Sequence, residues 1–334
     1  MSLNVLILTI IIVIYSITSM QKIHLPFPMS VIINNLCNMT CSHCAGLACF
    51  NFAGQQVWAD SKERYERWSE IVDIDEICFA GGETYLNMEL PLWASEFNRL
   101  WPNAMLEITT NGTRLQQRLE FSREFLAREK NLLTVSVHDH ADWEKIKNDL
   151  ETTLLPWEYY TEEEAMIPLQ QWKSIMYKDS KTHRTIAKLL SVTEMVPPYY
   201  KSVSNGTVYL EMGGDQEASH KACPWNHVYT FQEGLLYKCT LTTNYPEAIK
   251  QGEFEPEADA LLKQYKPCDP FDSNERVSEF LKKLTNSIPQ CTLCAFDKQH
   301  DTLRLSRTVD QDINRKKAFN IPIRIIEEDI ARKN

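Results

Sequence analysis

The sequence predicts an α/β fold built on a parallel sheet, followed by a small C-terminal cysteine-bearing domain. Three observations lead there. Short β-branched strands alternate with amphipathic helical stretches through the first 155 residues, as βα units with crossover connections do. From about Asp215 that pattern gives way to loops and short hairpins that carry five of the ten cysteines. The composition, 43% hydrophobic and 24% charged, is that of a folded globular chain and excludes disordered, collagenous and coiled-coil classes. From these residues alone the sheet can be doubly wound or a barrel.

The elements follow in order. Ser30–Leu36 (SVIINNL) reads as a buried strand. Asp60 and Glu63 resemble a capping pair for a helix running through Val72. Glu76–Ala80 is a second strand, ended by Gly81-Gly82. Asn87 can cap a helix in which Leu90, Trp93, Phe97 and Leu100 share a face. Met105–Thr110 is a third strand, stopped by Asn111-Gly112, and Leu115, Leu119, Ser122 and Leu126 follow at helical spacing. Leu132–Val137 is a fourth strand, with a helix around Trp143, Ile146 and Leu150 behind it. Met166–Met176 and Thr207–Met212 are read as strands five and six. Tyr229–Lys238 reads as a hairpin turning at Glu233-Gly234, and Val277, Phe280, Leu281 and Leu284 as a helix face. The domain reading is an apolar N-terminal segment (1–28), a core (29–215), a cysteine-bearing domain (216–300) and a tail (301–334).

Charge narrows the partners. Lys plus Arg is 35 against 45 Asp plus Glu, a net of −10. That is the wrong sign for a nucleic-acid-coating surface, so no nucleic acid is expected. The ten cysteines are too few for a disulfide scaffold and too clustered for core usage, which favours metal binding in a reducing compartment. The N-terminus complicates this: Met1–Gln21 carries no charge and Val5–Ile17 is densely apolar. Thirteen apolar residues are short for a membrane span. Three readings stay open: a membrane anchor with contact through residues 4–20, a start placed too early, and export. The expected location is the cytoplasm, with or without that anchor.

The strongest motif is CNMTCSHC, which sets Cys37, Cys41 and Cys44 at C-x3-C-x2-C spacing directly after the first strand. In α/β folds the carboxyl ends of the strands carry the chemistry. Thiolates in a tight loop suit an iron–sulfur cluster or zinc, and three thiolates leave one iron of a four-iron cube open. A structural zinc, with His43 or Cys49 as fourth ligand, is the alternative. In the second strand AGGE ends at Glu83, in the third TTNG ends at Gly112, and the fourth ends at Ser136, Val137 and His138.

On these four strand ends the chain resembles the radical S-adenosylmethionine (SAM) superfamily, from about residue 28 to 215. His43 stands where an aromatic residue is usual, and no glycine-bearing motif marks the fifth strand. The resemblance implies a partial (β/α)6 TIM-like barrel. It implies a [4Fe–4S] cluster on Cys37, Cys41 and Cys44, with SAM contacted by His43, Gly81, Gly82, Glu83, Thr110, Asn111, Ser136 and His138. It implies reductive cleavage of SAM to a 5′-deoxyadenosyl radical that abstracts hydrogen from substrate.

Downstream, Cys239 ends the hairpin in GLLYKC, and Cys291 and Cys294 form a C-x2-C pair. With Cys223 they resemble the twitch or reduced SPASM extension of that superfamily, which implies a second [4Fe–4S] cluster on Cys223, Cys239, Cys291 and Cys294. A zinc staple on the same thiolates is the alternative. Cys49, Cys78 and Cys268 are read as bystanders. The implied partners are a flavodoxin- or ferredoxin-like one-electron donor and a peptide or small-molecule substrate. Peptide or protein modification is favoured over nucleoside, sugar or cofactor biosynthesis. A non-catalytic iron–sulfur protein is the contrasting class.

Overall fold

The computed structural model describes residues 22–39, 54–167, 172–192, 201–202, 208–209, 214–223, 225–244 and 256–294. Its strands are β1 (Ile23–Leu25), β2 (Met29–Asn34), β3 (Val72–Ile74), β4 (Glu76–Gly81), β5 (Met105–Thr110), β6 (Asn131–Val137), β7 (Tyr159–Ile167), β8 (Trp172–Asp179), β9 (Thr185–Ser191), β10 (Lys201–Ser202), β11 (Val208–Tyr209), β12 (Tyr229–Gln232) and β13 (Leu235–Tyr237). The helices are α1 (Trp58–Ile71), α2 (Leu90–Leu100), α3 (Leu119–Leu126), α4 (Trp143–Leu154), α5 (Gln216–Ala222), α6 (Pro256–Lys263) and α7 (Asn274–Lys282).

Nine strands make one mixed sheet in the order β13-β12-β2-β4-β5-β6-β9-β8-β7. The six from β12 to β9 run parallel. On one side β13 runs antiparallel to them; on the other β8 runs antiparallel, and β7, antiparallel to β8, runs with the six again. From β2 to β9 the order never reverses. Right-handed crossovers therefore set α1 to α4 on one face, whereas a doubly wound sheet needs a reversal. The molecule is thus a mixed α/β fold whose opposite sheet face is left without those helices.

The helical face holds the core. Val31, Ile33, Phe79, Ile108, Leu133 and Val135 point from the strands into one buried cluster with Tyr65 and Trp68 of α1, Trp93 and Phe97 of α2, Phe125 of α3 and Leu150 of α4. Phe97 is central: its ring centroid lies 5.0 Å from those of both Tyr65 and Phe79, and 5.3 Å from that of Trp101.

Several expectations need correction. Helix α1 starts at Trp58, so Asp60 and Glu63 lie inside it and do not cap it. The Trp58 N–H instead donates to the Glu89 carboxylate, 2.8 Å away and 31 residues on. Asn87 does not cap α2. Its Oδ1 accepts from Glu89 N, and its Nδ2 donates to the carbonyls of Ile33 and Gln56, stitching the strand-end loops together. Strand five is not Met166–Met176, a stretch that runs from the end of β7 into β8. Those two strands form an antiparallel hairpin, and the strand beside β6 is β9. The β8–β9 turn is built by Asp179, whose carboxylate accepts from Lys181 N, Thr182 N and Thr182 Oγ1. Of Thr207–Met212, only Val208 and Tyr209 are described, and they pair with β10 outside the main sheet.

The hairpin expected at Glu233-Gly234 is present, with φ of 53° and 72° at those residues, as a two-residue hairpin turn requires. A Cβ at Gly234 would stand 2.4 Å from Arg64 Cβ, and the Gly234 carbonyl accepts from Trp68 Nε1 at 2.8 Å. This hairpin is built into the main sheet, because β12 pairs in parallel with β2. Among the described residues no helix is long and apolar enough to cross a membrane. The expected cytoplasmic location with an N-terminal membrane anchor is therefore not retained; residues 1–21 lie outside the described residues.

Phe97→Ala should lower unfolding free energy by about 3–5 kcal/mol, the usual loss for a buried aromatic. Urea denaturation with an unchanged m-value measures it.

Candidate active site

The strand order brings the carboxyl ends of β2, β4, β5 and β6 side by side. At β2 the chain leaves the sheet through Asn34, Asn35 and Leu36 into Cys37, which is 8% exposed. Gly82 N donates to the Asn34 carbonyl at 2.6 Å and Glu83 N to the Leu36 carbonyl at 2.8 Å. Asn34 Nδ2 donates back to the Glu83 carbonyl at 2.7 Å. The two glycines permit this. A Cβ at Gly81, whose φ is +140°, would fall 2.1 Å from the Asn34 carbonyl oxygen, and one at Gly82 2.2 Å from that of Leu36. The close approach that Gly81-Gly82 allow is therefore to the neighbouring strand's backbone.

Glu83 is 1% exposed. Its carboxylate accepts from Tyr85 N at 2.9 Å, Thr110 Oγ1 at 2.5 Å and Asn111 N at 2.7 Å. Burial pushes its carboxyl up from the ordinary range, while the three donated bonds pull the other way. Glu83 thus clamps the end of β4 to the end of β5. Asn111 Nδ2 donates to Asn38 Oδ1 at 2.8 Å, and Asn38 Nδ2 donates to Thr113 Oγ1 at 2.8 Å. The residue after Cys37 is thereby tied to the TNG segment.

These groups line one cavity of about 480 Å³. Cys37, Gly81, Gly82, Glu83, Thr110, Asn111, Ser136 and His138 all border it. Cys41, His43 and Cys44, and with them Cys49, lie outside the described residues. The cavity also runs down the open sheet face past Ser30, Ile32, Cys78 and Glu107. Cys78, read as a bystander, faces this cavity with its Sγ 3.2 Å from Thr109 Oγ1, and burial pushes its thiol up. Period-two alternation was the missed signal: Glu76, Cys78 and Ala80 take one face of β4, Ile77 and Phe79 the other.

The cavity's far wall carries Cys223, Trp225, Cys239 and Cys294. A second, smaller pocket adjoins it, lined by Cys223, Cys239, Cys291 and Cys294 together with Lys238 and His220. Four thiols separated by up to 71 residues are thus gathered around one space that opens on the first cavity. Three turns position them. Asp215 caps α5, which leads into Cys223; the β12–β13 hairpin presents Cys239; and a 3-10 turn over Pro289–Leu293 carries Cys291 into Cys294. Ser219 Oγ donates to the Cys294 carbonyl at 2.7 Å and joins the first turn to the last.

Burial pushes the Cys223 thiol up to about 11 and Cys239 up to about 12, and raises Cys291 and Cys294 too, with the other cysteine charges adding to most of these shifts. Four thiolates are stable there only with cationic charge among them. Among the described residues no three Cys, His, Asp or Glu groups close on a single point as one metal ion requires. Cys268 lies apart and fully buried, its backbone paired with Leu236. Lys238 was not singled out from sequence, where it is merely the residue before Cys239. Burial lowers its ammonium to about 8.

No family model and no curated protein matches the chain. Among solved structures, one described as native anSMEcpe with bound AdoMet and Cp18Cys peptide is similar over 37% of this chain and 39% of that chain. The identity is 19% and the TM-score 0.29. The chain thus spans about two fifths of that protein, a likeness that carries no argument about activity.

Gly82→Ala should displace the segment leading to Cys37 and lower stability by about 1–3 kcal/mol, as overpacking does. Denaturant titration, with the alkylation rate of Cys37 rising, reads it. Glu83 gives a pH signature. With the folded value raised above 4.5, its contribution is full below 4.5 and is lost as pH rises through the folded value. The stability advantage of the wild-type chain over Glu83→Gln should shrink from pH 4.5 to pH 8.

Proposed function

We propose that the protein is a radical SAM enzyme with an auxiliary iron–sulfur site. The observation that carries this reading is the single cavity bordered by Cys37, the Gly81–Glu83 turn, Thr110-Asn111, Ser136 and His138. These are the four strand-end segments, in order, on which the resemblance to the superfamily rests. In this reading the parallel strands curve as a partial barrel with the cavity on their concave side.

Cys37, Cys41 and Cys44 would hold a [4Fe–4S] cluster, and Cys223, Cys239, Cys291 and Cys294 a second one. The donor chemistry fits: thiolates are the ligands such clusters take. Tetrahedral zinc would draw four sulfurs to about 2.3 Å from one point, whereas a cube spreads them over its corners; the four thiols line one pocket. What the first cluster supplies when bound is an electron for the sulfonium of SAM, whose cleavage gives methionine and a 5′-deoxyadenosyl radical able to take a substrate hydrogen atom.

The chain's own residues then have these tasks. Asn38, held by Asn111 and Thr113, fixes the start of the ligand loop against the end of β5. The Gly81–Glu83 turn borders the cavity where the amino acid end of SAM would lie, and Glu83 acts through the positions of Thr110 and Asn111. Ser136 and His138, at the end of β6, face the cavity where a ribose can be met by a hydroxyl and an imidazole. The sheet face and the cysteine-bearing wall keep bulk water from the reacting atoms. The substrate we favour is a peptide or protein, with an external flavodoxin- or ferredoxin-like electron donor.

Anaerobic reconstitution should give about eight irons per chain, two four-iron clusters. Changing Cys37, Cys41 and Cys44 together to Ala should abolish 5′-deoxyadenosine formation from SAM and dithionite and leave about four irons. Continued formation of that product would refute the catalytic cluster. Its absence from the reconstituted wild-type chain would favour a non-catalytic iron–sulfur protein.

A further inference from the structure

We propose that Lys238 is a positioning residue for the auxiliary cluster: its buried ammonium offsets the charge gathered by the four cysteines and sets how readily that cluster accepts an electron. This rests on the reading above that Cys223, Cys239, Cys291 and Cys294 hold an iron–sulfur cluster.

Lys238 is 7% exposed and lines the same pocket as those four thiols. It lies within electrostatic reach of Cys239 and Cys291. Its side chain is not loosely placed. Nζ donates to the Leu284 carbonyl just beyond α7, and its backbone N–H donates to the Tyr265 hydroxyl at 2.8 Å. Among the described residues lining the pocket it is the only Lys or Arg. His220, the other basic side chain there, is disfavoured as a cation by burial and by Lys238 itself.

A buried ammonium needs a counter-charge. No carboxylate is among the described residues lining the pocket. Glu217, an acid whose charge acts on Lys238, is exposed and accepts from Ser287 Oγ. The counter-charge that fits is the one the thiolates would carry. Four thiolates around a four-iron core leave a net negative group, and reduction adds one more negative charge. In a poorly solvated site a neighbouring cation therefore favours the reduced form, and net charge and hydrogen bonding are the levers that set such potentials.

The test uses the full chain carrying Cys37, Cys41 and Cys44 changed to Ala, so that only the auxiliary site is loaded. It is reconstituted anaerobically with iron and sulfide and titrated electrochemically with detection by electron paramagnetic resonance. Lys238→Gln keeps a donor for Leu284 but loses the charge. At a given poise the ratio of reduced to oxidised cluster should fall by about tenfold, a 59 mV lower potential for a one-electron couple. Lys238→Met, neutral as well, should behave alike and serves if the Gln variant does not fold. Lys238→Arg keeps the charge and should titrate close to its parent. A neutral variant that titrates with its parent overturns the proposal, as does an Arg variant that shifts as far as the Gln variant. A parent chain that takes up zinc or no iron overturns the cluster reading itself, and that outcome is distinct from an unshifted potential.

Discussion

The site depends on one contact between two strand ends. Where β4 finishes, its backbone lies against the backbone leaving β2, with Gly82 N on the Asn34 carbonyl and Glu83 N on the Leu36 carbonyl. No side chain fits between them, since a Cβ at either glycine would fall about 2 Å from a carbonyl oxygen. That approach fixes where Cys37 emerges. It also turns Glu83 inward, so that its carboxylate gathers the end of β5 through Thr110 and Asn111. Asn38 closes the loop of interactions by returning to Asn111. Two missing Cβ atoms and one buried carboxylate thus register three strand ends against the segment that opens the cysteine motif.

The two faces of the sheet divide the labour. On one, Val31, Phe79, Ile108 and Val135 meet the aromatic rings of α1 and α2 and supply the apolar burial that holds the fold. On the other, Ser30, Cys78, Glu107 and Ser136 leave room for a cavity. Unreversed strand order makes that division, because it sends every crossover helix to the same side. The open face then needs another cover. Part of it comes from the cysteine-bearing turns, which reach the sheet through the β12–β13 hairpin and its parallel pairing with β2. The same hairpin leads into Lys238 and Cys239, so both sites hang on β2, the first strand of the main sheet in chain order.

Much of this was legible in the sequence. The β4, β5 and β6 strands fall within one residue of their predicted limits, since β-branched and apolar runs leave little ambiguity, and Gly81-Gly82 and Asn111-Gly112 mark the ends of the first two. The strand-end motifs and the grouping of the four later cysteines were legible as patterns. Other features were not, for physical reasons. The N-terminus of α1 is satisfied by Glu89, a long-range acceptor that no local capping rule contains. The hairpin of β7 and β8 was hidden because antiparallel strands at a sheet edge carry no helix between them to mark the step, and β9 was passed over with them.

The sequence by itself determined the βα alternation, the glycine pair, the cysteine spacings and the turn at Glu233-Gly234. Each is set by local stereochemistry or by ligand spacing within a few residues. Only the tertiary structure decided that the glycines serve a strand-to-strand contact and that Cys78 faces the cavity. It alone joined β12 to β2 and buried Lys238 among four thiols. Those outcomes depend on which segments, far apart in the chain, come to share a backbone ladder or a low-dielectric pocket. No spacing along the chain encodes that partnership.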